Sequence, residues 1–193
     1  KGQVVDAAIV DGTASLMTAA FGLFAGGLFS LERGTNMLDS GAYFYDVYQC
    51  SDGQWISVAA IEGRFHAELL RLLEIDPQAI GEQGNRANWP KARELFAAKF
   101  RTRTRDEWCA LLEGTDACFA PVLSVAEAPA HAHHASRGSF ITVDGIVQPA
   151  PAPRFSRTVP AQPTAPEKPD PRAALTGWMT AAEIDALAAS GTI

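Results

Sequence analysis

Glu62 occupies a position where a carboxylate could do chemistry. It follows residues 55–61, which are rich in β-forming side chains, and it precedes apolar residues that recur at helical spacing. A carboxylate at a helix start lies near the positive end of the helix dipole, which favours its ionised form. Two interpretations stay open: a residue of an active site, or an ordinary acidic residue of a first helical turn.

Three closely spaced histidines raise the question of a metal site. His131, His133 and His134 follow one another without a second ligand cluster, and no cysteine pair accompanies them. A surface turn is the favoured interpretation, with metal binding as the alternative. We therefore predict no metal.

Basic side chains are concentrated in one part of an otherwise acidic chain. They are Arg86, Lys91, Arg93, Lys99, Arg101, Arg103 and Arg105. A solvated helix face is the favoured interpretation, and contact with a phosphate group of a ligand is the alternative. The net charge of −6 argues against a nucleic-acid partner, because no basic field is present to attract phosphates along a strand.

The cysteine content indicates a reducing environment. Cys50, Cys109 and Cys118 form an odd set without metal-type spacing, and no signal peptide is visible. We therefore expect a cytoplasmic protein. The chain starts without Met and enters an apolar run at once, which suggests a portion of a larger protein.

The elements that must position Glu62 begin with a hairpin. Residues 45–50 alternate as a strand does, Asp52-Gly53 is a strong hairpin signal, and residues 55–61 form the returning strand. A second Asp-Gly hairpin is predicted around Asp144-Gly145. Residues 116–123 form a further strand, and its proline favours an edge position.

The remainder of the chain is predicted to be largely helical. Helices are expected at residues 65–74, 89–101 and 105–112, and again near the end. Two capping boxes mark helix starts: Thr104 with Glu107, and Thr180 with Glu183. By contrast, residues 149–171 contain eight of the twelve prolines and are predicted to run extended.

Residues 13–31 are an uncharged run long enough to test for a membrane span. Hydroxyl side chains and several glycines dilute its apolarity, and no basic cluster flanks it. We predict no membrane span. Its small side chains suit close packing, so residues 4–31 are expected to form one or two buried helices.

Several separated motifs resemble one superfamily, and they occur in its order. They are GQVVDAA at 2–8, NMLD at 36–39, YDVY at 45–48, AIE at 60–62, PAPAPRFS at 149–156 and AEI at 182–184. This set resembles the family III CoA-transferase and α-methylacyl-CoA racemase superfamily. The NMLD, YDVY and AIE segments are more similar to the racemases.

The resemblance implies an α/β fold class and a domain organisation. The chain would be the C-terminal part of the family fold, with the Rossmann-like large domain mostly absent. Residues 1–45 would form connecting helices and residues 46–133 a small α/β domain. Residues 134–171 would form a hairpin and a Pro-rich return linker, and residues 172–193 a terminal helix packed on the large domain.

The resemblance also implies a reaction, inversion of the α-carbon of 2-methylacyl-CoA thioesters by proton abstraction and return. The catalytic His and Asp of the relatives are not matched in this chain, so the chain alone is expected to be inactive. Glu62 matches a supporting carboxylate, and Leu38, Tyr45 and Ile61 match positions that bind the acyl chain. The relatives have Pro-Gln after the Glu, where this chain has Gly63-Arg64. That difference could draw Glu62 into an ion pair.

Two other functions remain open on the sequence alone. One is a family III CoA-transferase that moves CoA between carboxylic acids, and the other is a non-catalytic fragment or assembly subunit. The resemblance further implies an acyl-CoA substrate, no cofactor beyond the CoA thioester itself, and an interlocked homodimer with the large domain.

Overall fold

The structure is a computed structural model that describes residues 2–166 and 170–193. It contains both helices and small antiparallel sheets, which confirms the predicted mixed α/β class. In chain order they are α1 (Ile9–Leu16), α2 (Thr18–Ala25), a π-turn (Met37–Gly41), β1 (Tyr45–Gln49), β2 (Trp55–Ala59), α3 (Gly63–Leu72), α4 (Pro77–Ile80), a 3₁₀ turn (Arg86–Asn88), α5 (Trp89–Phe100), α6 (Arg105–Leu112), β3 (Phe119–Val122), a 3₁₀ turn (Ala128–Ala130), α7 (Ala132–Arg137), β4 (Phe140–Val143), β5 (Ile146–Pro149), α8 (Pro171–Leu175) and α9 (Ala181–Ala189).

The chain divides after Leu123 into two compact units. The first ends with the third strand, and the second begins at Ser124. This division does not test the functional boundaries given above, so the four predicted segments stay a prediction.

An antiparallel sheet in the order β1-β2-β3 organises the first unit. Asp52-Gly53 forms the predicted hairpin turn, with Gly53 at a positive φ of 79° that suits glycine. Tyr45 pairs with Ala59 and Gln49 with Trp55, so the register is that of a short, regular hairpin. Pro121 lies in the edge strand β3, as predicted, where a missing N–H costs little.

One face of this sheet carries the hydrophobic core. Tyr48, Ile56 and Val58 are buried together with residues of α3, α5 and α6. The Tyr48 ring stacks on Phe100 with ring centres 5.2 Å apart. Because a buried aromatic side chain removes about 150–250 Å² from water, this cluster stabilises the unit strongly. The other face carries Tyr45, Val47, Trp55 and Ser57. Tyr45 is partly buried and packs against the core, whereas Val47 and Trp55 are exposed.

Both predicted capping boxes are confirmed. The Thr104 hydroxyl accepts from the Glu107 amide, and the Glu107 carboxylate accepts from the Thr104 amide at 2.8 Å. Thr180 and Glu183 repeat the arrangement at the start of α9. The backbone hydrogen bond from Thr104 lowers the pKa of the Glu107 carboxyl.

The prediction of buried helices in residues 4–31 is half right. Two helices form there, but neither contains a buried residue, and Ile9 is 89% exposed. An apolar sequence indicates that burial of its side chains would be favourable, but burial also requires another element for the helices to pack against. Within the described ranges no element covers α1 or α2. No helix in that part of the chain is both long and apolar enough to cross a bilayer.

The second unit combines short helices with a hairpin. Strands β4 and β5 pair through Asp144-Gly145, both at positive φ, so this predicted hairpin is confirmed. Residues 150–166 of the Pro-rich run contain neither helix nor strand, in agreement with the prediction. Residues 167–169 of that run lie outside the described chain. Ile184 is the buried residue of α9.

Candidate active-site surface

A shallow groove of about 300 Å³ lies beside the exposed face of the β1–β2 hairpin. It is lined by Leu38, Ser40, Tyr45, Asp46, Val47, Ser57, Val58 and Ala59. Strand alternation places Tyr45 and Val47 on the same face of β1, where Val47 is exposed and Tyr45 is partly buried. The structure thus brings Leu38 and Tyr45, two of the predicted substrate-binding residues, to one largely apolar surface.

Leu38 is carried by a tightly bonded loop, residues 36–41. The Asn36 amide donates to Asp39 at 2.7 Å, and the Asn36 side chain bonds both backbone groups of Ser30 and the Asp39 carboxylate. The side-chain hydrogen bond from Asn36 lowers the pKa of the Asp39 carboxyl. Leu38 itself remains 65% exposed. The loop backbone, rather than burial of the side chain, therefore places Leu38.

Arg93 of α5 joins this loop to the sheet. Its guanidinium forms an ion pair with Asp46 of β1 and donates to the backbone carbonyls of Ser40 and Gly41. The Asp46 side chain is only 8% exposed, whereas that of Arg93 is 34% exposed. Burial lowers the pKa of Arg93, yet arginine stays protonated in folded proteins.

Glu62 is the N-cap residue of α3, as predicted, and its side chain is exposed. The carboxylate makes no capping hydrogen bond to its own helix, so it is directed to solvent-accessible space. The anticipated ion pair with Arg64 is not formed among the described residues. Arg64 instead lies over the Phe65 ring, 4.3 Å from its centre. The Gly63-Arg64 pair thus leaves Glu62 accessible.

Ile61 precedes Glu62 and is not part of the groove that contains Leu38 and Tyr45. The segment between β2 and α3 is held by Gln83, whose side-chain amide donates to the carbonyls of Ala60 and Ile61. Ile61 and Glu62 therefore lie just past the end of β2, two and three residues after Ala59. The roles expected for these side chains stay a prediction.

His66 lies one turn after Glu62 but belongs to the core. Its Nε2 atom is 2.8 Å from the Tyr43 hydroxyl, and the residue is 7% exposed. Burial lowers the pKa of His66 and raises the pKa of Tyr43. This histidine is thus a neutral structural partner of Tyr43 rather than a member of the exposed surface.

The three later histidines lie at the start and within α7. His134 contacts the ring of Phe140 edge-on, and it also contacts His131 and His133. In the described part of the chain no group of three His, Cys, Asp or Glu side chains is arranged to hold a metal ion.

The basic side chains between residues 86 and 105 do not converge on one point. Arg86 donates to the Leu28 carbonyl, Lys99 pairs with Glu74, and Arg103 lies over the Trp108 ring. These local contacts favour the interpretation as separate surface contacts. The structure shows no single phosphate site assembled from them among the described residues.

Two groups in this surface were not predicted from the sequence. The Asn36-x-x-Asp39 spacing is a capping-box pattern that could have revealed the bonded loop. The Arg93–Asp46 pair joins residues 47 positions apart, and no local sequence pattern predicts it.

Comparison with known proteins identifies the class of this chain. The sequence profile of CoA-transferase family III matches residues 1–174, so the chain belongs to that family. Among its relatives, the mouse α-methylacyl-CoA racemase is 43% identical over 171 residues, which are 88% of this chain and 44% of the relative. The human α-methylacyl-CoA racemase is 41% identical over 165 residues, 85% of this chain and 43% of the relative.

The same fold occurs in solved structures. The crystal structure of a CaiB/BaiF family protein from Brucella suis matches with a TM-score of 0.66 and 22% identity. The match covers 96% of this chain and 49% of that protein. This chain therefore has the fold of part of that structure, and it spans less than half the length of the curated relatives it matches.

Proposed function

We propose that this chain is a portion of an enzyme that inverts the α-carbon of 2-methylacyl-CoA thioesters. The observation that carries the proposal is the 41–43% identity to two mammalian α-methylacyl-CoA racemases over most of the chain. Since the chain spans only 44% or less of those relatives, the activity belongs to the complete enzyme. The chain alone is expected to be inactive, because the His and Asp that the resemblance implies are not matched in it.

In this proposal the chain supplies the surface on which the acyl group lies. Leu38 and Tyr45 flank a groove of mainly apolar character, which suits a branched hydrocarbon and excludes water from it. Ile61 would extend that surface beyond the end of β2. Fixing the acyl group in one place would leave the α-carbon accessible to an acid–base pair on either side.

Glu62 would act as a supporting carboxylate in the same site. It is exposed at the N-terminus of α3, and no capping bond or ion pair with Arg64 engages it among the described residues. A carboxylate next to an imidazole orients the ring and favours its protonated form. Glu62 would therefore prepare the catalytic histidine to return a proton, without touching the α-carbon itself.

Assembly, location and cofactor use follow as parts of the same proposal. The apolar side chains exposed on α1 and α2 support an interlocked homodimer, in which a large domain would cover them. The three unpaired cysteines support a reducing compartment, for which we propose the cytoplasm. The reaction requires acid–base groups and stabilisation of a thioester enolate, so no cofactor beyond the CoA thioester is proposed.

A CoA-transferase is the second candidate, because the family whose profile matches the chain is CoA-transferase family III. The two reactions differ in what they consume. A racemase converts a single 2-methylacyl-CoA epimer with no other reactant, whereas a transferase needs a second carboxylic acid to accept the CoA.

The test is to incubate the complete enzyme with one pure epimer of a 2-methylacyl-CoA. Chiral chromatography then measures the opposite epimer, with and without an added carboxylic acid. The proposal predicts approach to an epimer mixture that is independent of the added acid. Formation of a new acyl-CoA from the added acid, with the original configuration retained, would identify a transferase instead.

A further inference from the structure

The 36–41 loop is fixed from two directions. From within, Asn36 and Asp39 bond each other and the neighbouring backbone, and the Gly41 amide donates to the Asn36 carbonyl at 2.9 Å. From outside, the guanidinium of Arg93 donates hydrogen bonds to the backbone carbonyls of Ser40 and Gly41. Arg93 is thus the residue through which helix α5 holds this loop.

The conformation of the loop needs such support. Ser40 adopts a φ of 71°, a left-handed conformation that is strained for a non-glycine residue. Leu38, two residues earlier, is mostly exposed and gains little from burial. Hydrogen bonds to the backbone on either side of Ser40 therefore decide where Leu38 lies.

Asp46 sets the direction of the Arg93 side chain. It lies on β1 between Tyr45 and Val47, and its carboxylate is almost entirely withdrawn from solvent. An arginine side chain offers five donors in a rigid plane, so one side chain can satisfy the carboxylate and two carbonyls together. The pair also neutralises charge at the edge of an apolar groove. Helix α5, strand β1 and the loop thereby meet at a single guanidinium.

We propose that Arg93 is a positioning residue for the acyl surface: it places Leu38 over the outer face of β1 without contacting substrate. This inference rests on the proposed function for its consequence in catalysis. The bonding of the loop by Arg93 stands on geometry alone, so the two parts are tested by different measurements.

The first measurement is amide hydrogen exchange in the 193-residue chain. Arg93→Gln removes both the positive charge and the planar set of guanidinium donors, whereas Arg93→Lys keeps the charge. Arg101→Gln is a matched control from the end of the same helix. We expect Arg93→Gln to speed exchange at the Gly41 amide about tenfold to a hundredfold, the equivalent of one or two charge-assisted hydrogen bonds. Arg93→Lys should show a smaller increase, and Arg101→Gln none.

The core amide of Trp108, bonded to Thr104, serves as the internal reference for global unfolding. Should Arg93→Gln fail to fold, Asp46→Asn replaces it, since this change releases the guanidinium while retaining the loop sequence. Exchange at Gly41 that is unchanged in the folded variants, or that increases only in step with Trp108, overturns the role of Arg93 in the loop.

The second measurement is racemisation by the complete enzyme with the same substitutions. Because only the acyl surface moves, Arg93→Gln should raise KM for 2-methylacyl-CoA about tenfold, with kcat changed by less than about threefold, and Arg93→Lys should recover part of the loss. Faster loop exchange with unchanged KM overturns the positioning role. Absence of racemisation in the unmodified enzyme refutes the proposed function, while the exchange result still decides whether Arg93 holds the loop.

Discussion

Replacing Gly41 by alanine places a methyl group where the 36–41 loop has no room for one. A β-carbon at this position would lie 2.2 Å from the Asn36 carbonyl oxygen, 2.6 Å from the Thr35 carbonyl carbon and 2.8 Å from the Asn36 nitrogen. All three are backbone atoms, so no side-chain rotation relieves the overlap. The loop must open by roughly 1 Å to restore an ordinary contact distance.

The cost follows from what that opening disrupts. Overpacking of this kind typically costs about 1–3 kcal/mol, and loss of the Gly41 amide hydrogen bond to Asn36 adds about 1 kcal/mol. We therefore expect Gly41→Ala to lower the free energy of unfolding by about 2–4 kcal/mol. Urea unfolding of the 193-residue chain, followed by tryptophan fluorescence, measures the difference.

Gly63→Ala is the matched control. Gly63 begins α3, and an added β-carbon there meets no atom within 4 Å. Because alanine favours a helix more than glycine does, this variant should be unchanged or more stable by up to about 1 kcal/mol. If Gly41→Ala unfolds within about 0.5 kcal/mol of the unmodified chain, the loop is not packed as described and the reasoning is refuted.

Three further predictions concern titratable side chains. Burial lowers the pKa of His66, so on acidification this imidazole is protonated in the unfolded chain before it is protonated in the folded chain. The free energy of unfolding should therefore fall as pH drops below about 6.5, and His66→Gln should remove that slope in urea titrations. Burial raises the pKa of Cys50 to about 11, so alkylation at pH 7.5, followed by mass spectrometry, should be at least about a hundredfold slower in the folded chain than in urea. Equal alkylation rates would contradict this. Glu62→Gln in the complete enzyme should lower kcat about tenfold to a hundredfold and alter the pH dependence of kcat, with little change in CoA affinity. An unchanged pH–rate profile would show that Glu62 has no catalytic role and is only a residue at the start of a helix.

Elements encoded by a few adjacent residues were predictable from the sequence. The Asp-Gly pairs at 52–53 and 144–145 set their own turns, because the positive φ required at Gly53, Asp144 and Gly145 suits those residue types. The capping box at Thr104 is equally local, since donor and acceptor are three residues apart. Glu62 could be placed at the start of α3 because the helical spacing of the apolar residues that follow it is also a local signal.

Features that depend on distant parts of the chain could not be predicted in this way. The Arg93–Asp46 pair requires α5 to pack beside β1, which no spacing in either segment reveals. The exposure of α1 and α2 could not be predicted either, because an apolar sequence favours burial but does not reveal whether another element is present to pack against it. The groove beside Leu38 depends on both the loop and the hairpin, so only the individual residues were foreseen.

The proposed function requires the complete enzyme to remove and return the proton on the α-carbon of a 2-methylacyl-CoA. The most direct measurement is incubation of one epimer with that enzyme in heavy water, with the α-hydrogen followed by nuclear magnetic resonance and the epimer ratio by chiral chromatography. We expect replacement of the α-hydrogen by deuterium together with formation of the second epimer. Full retention of the α-hydrogen in an enzyme that still transfers CoA would contradict it.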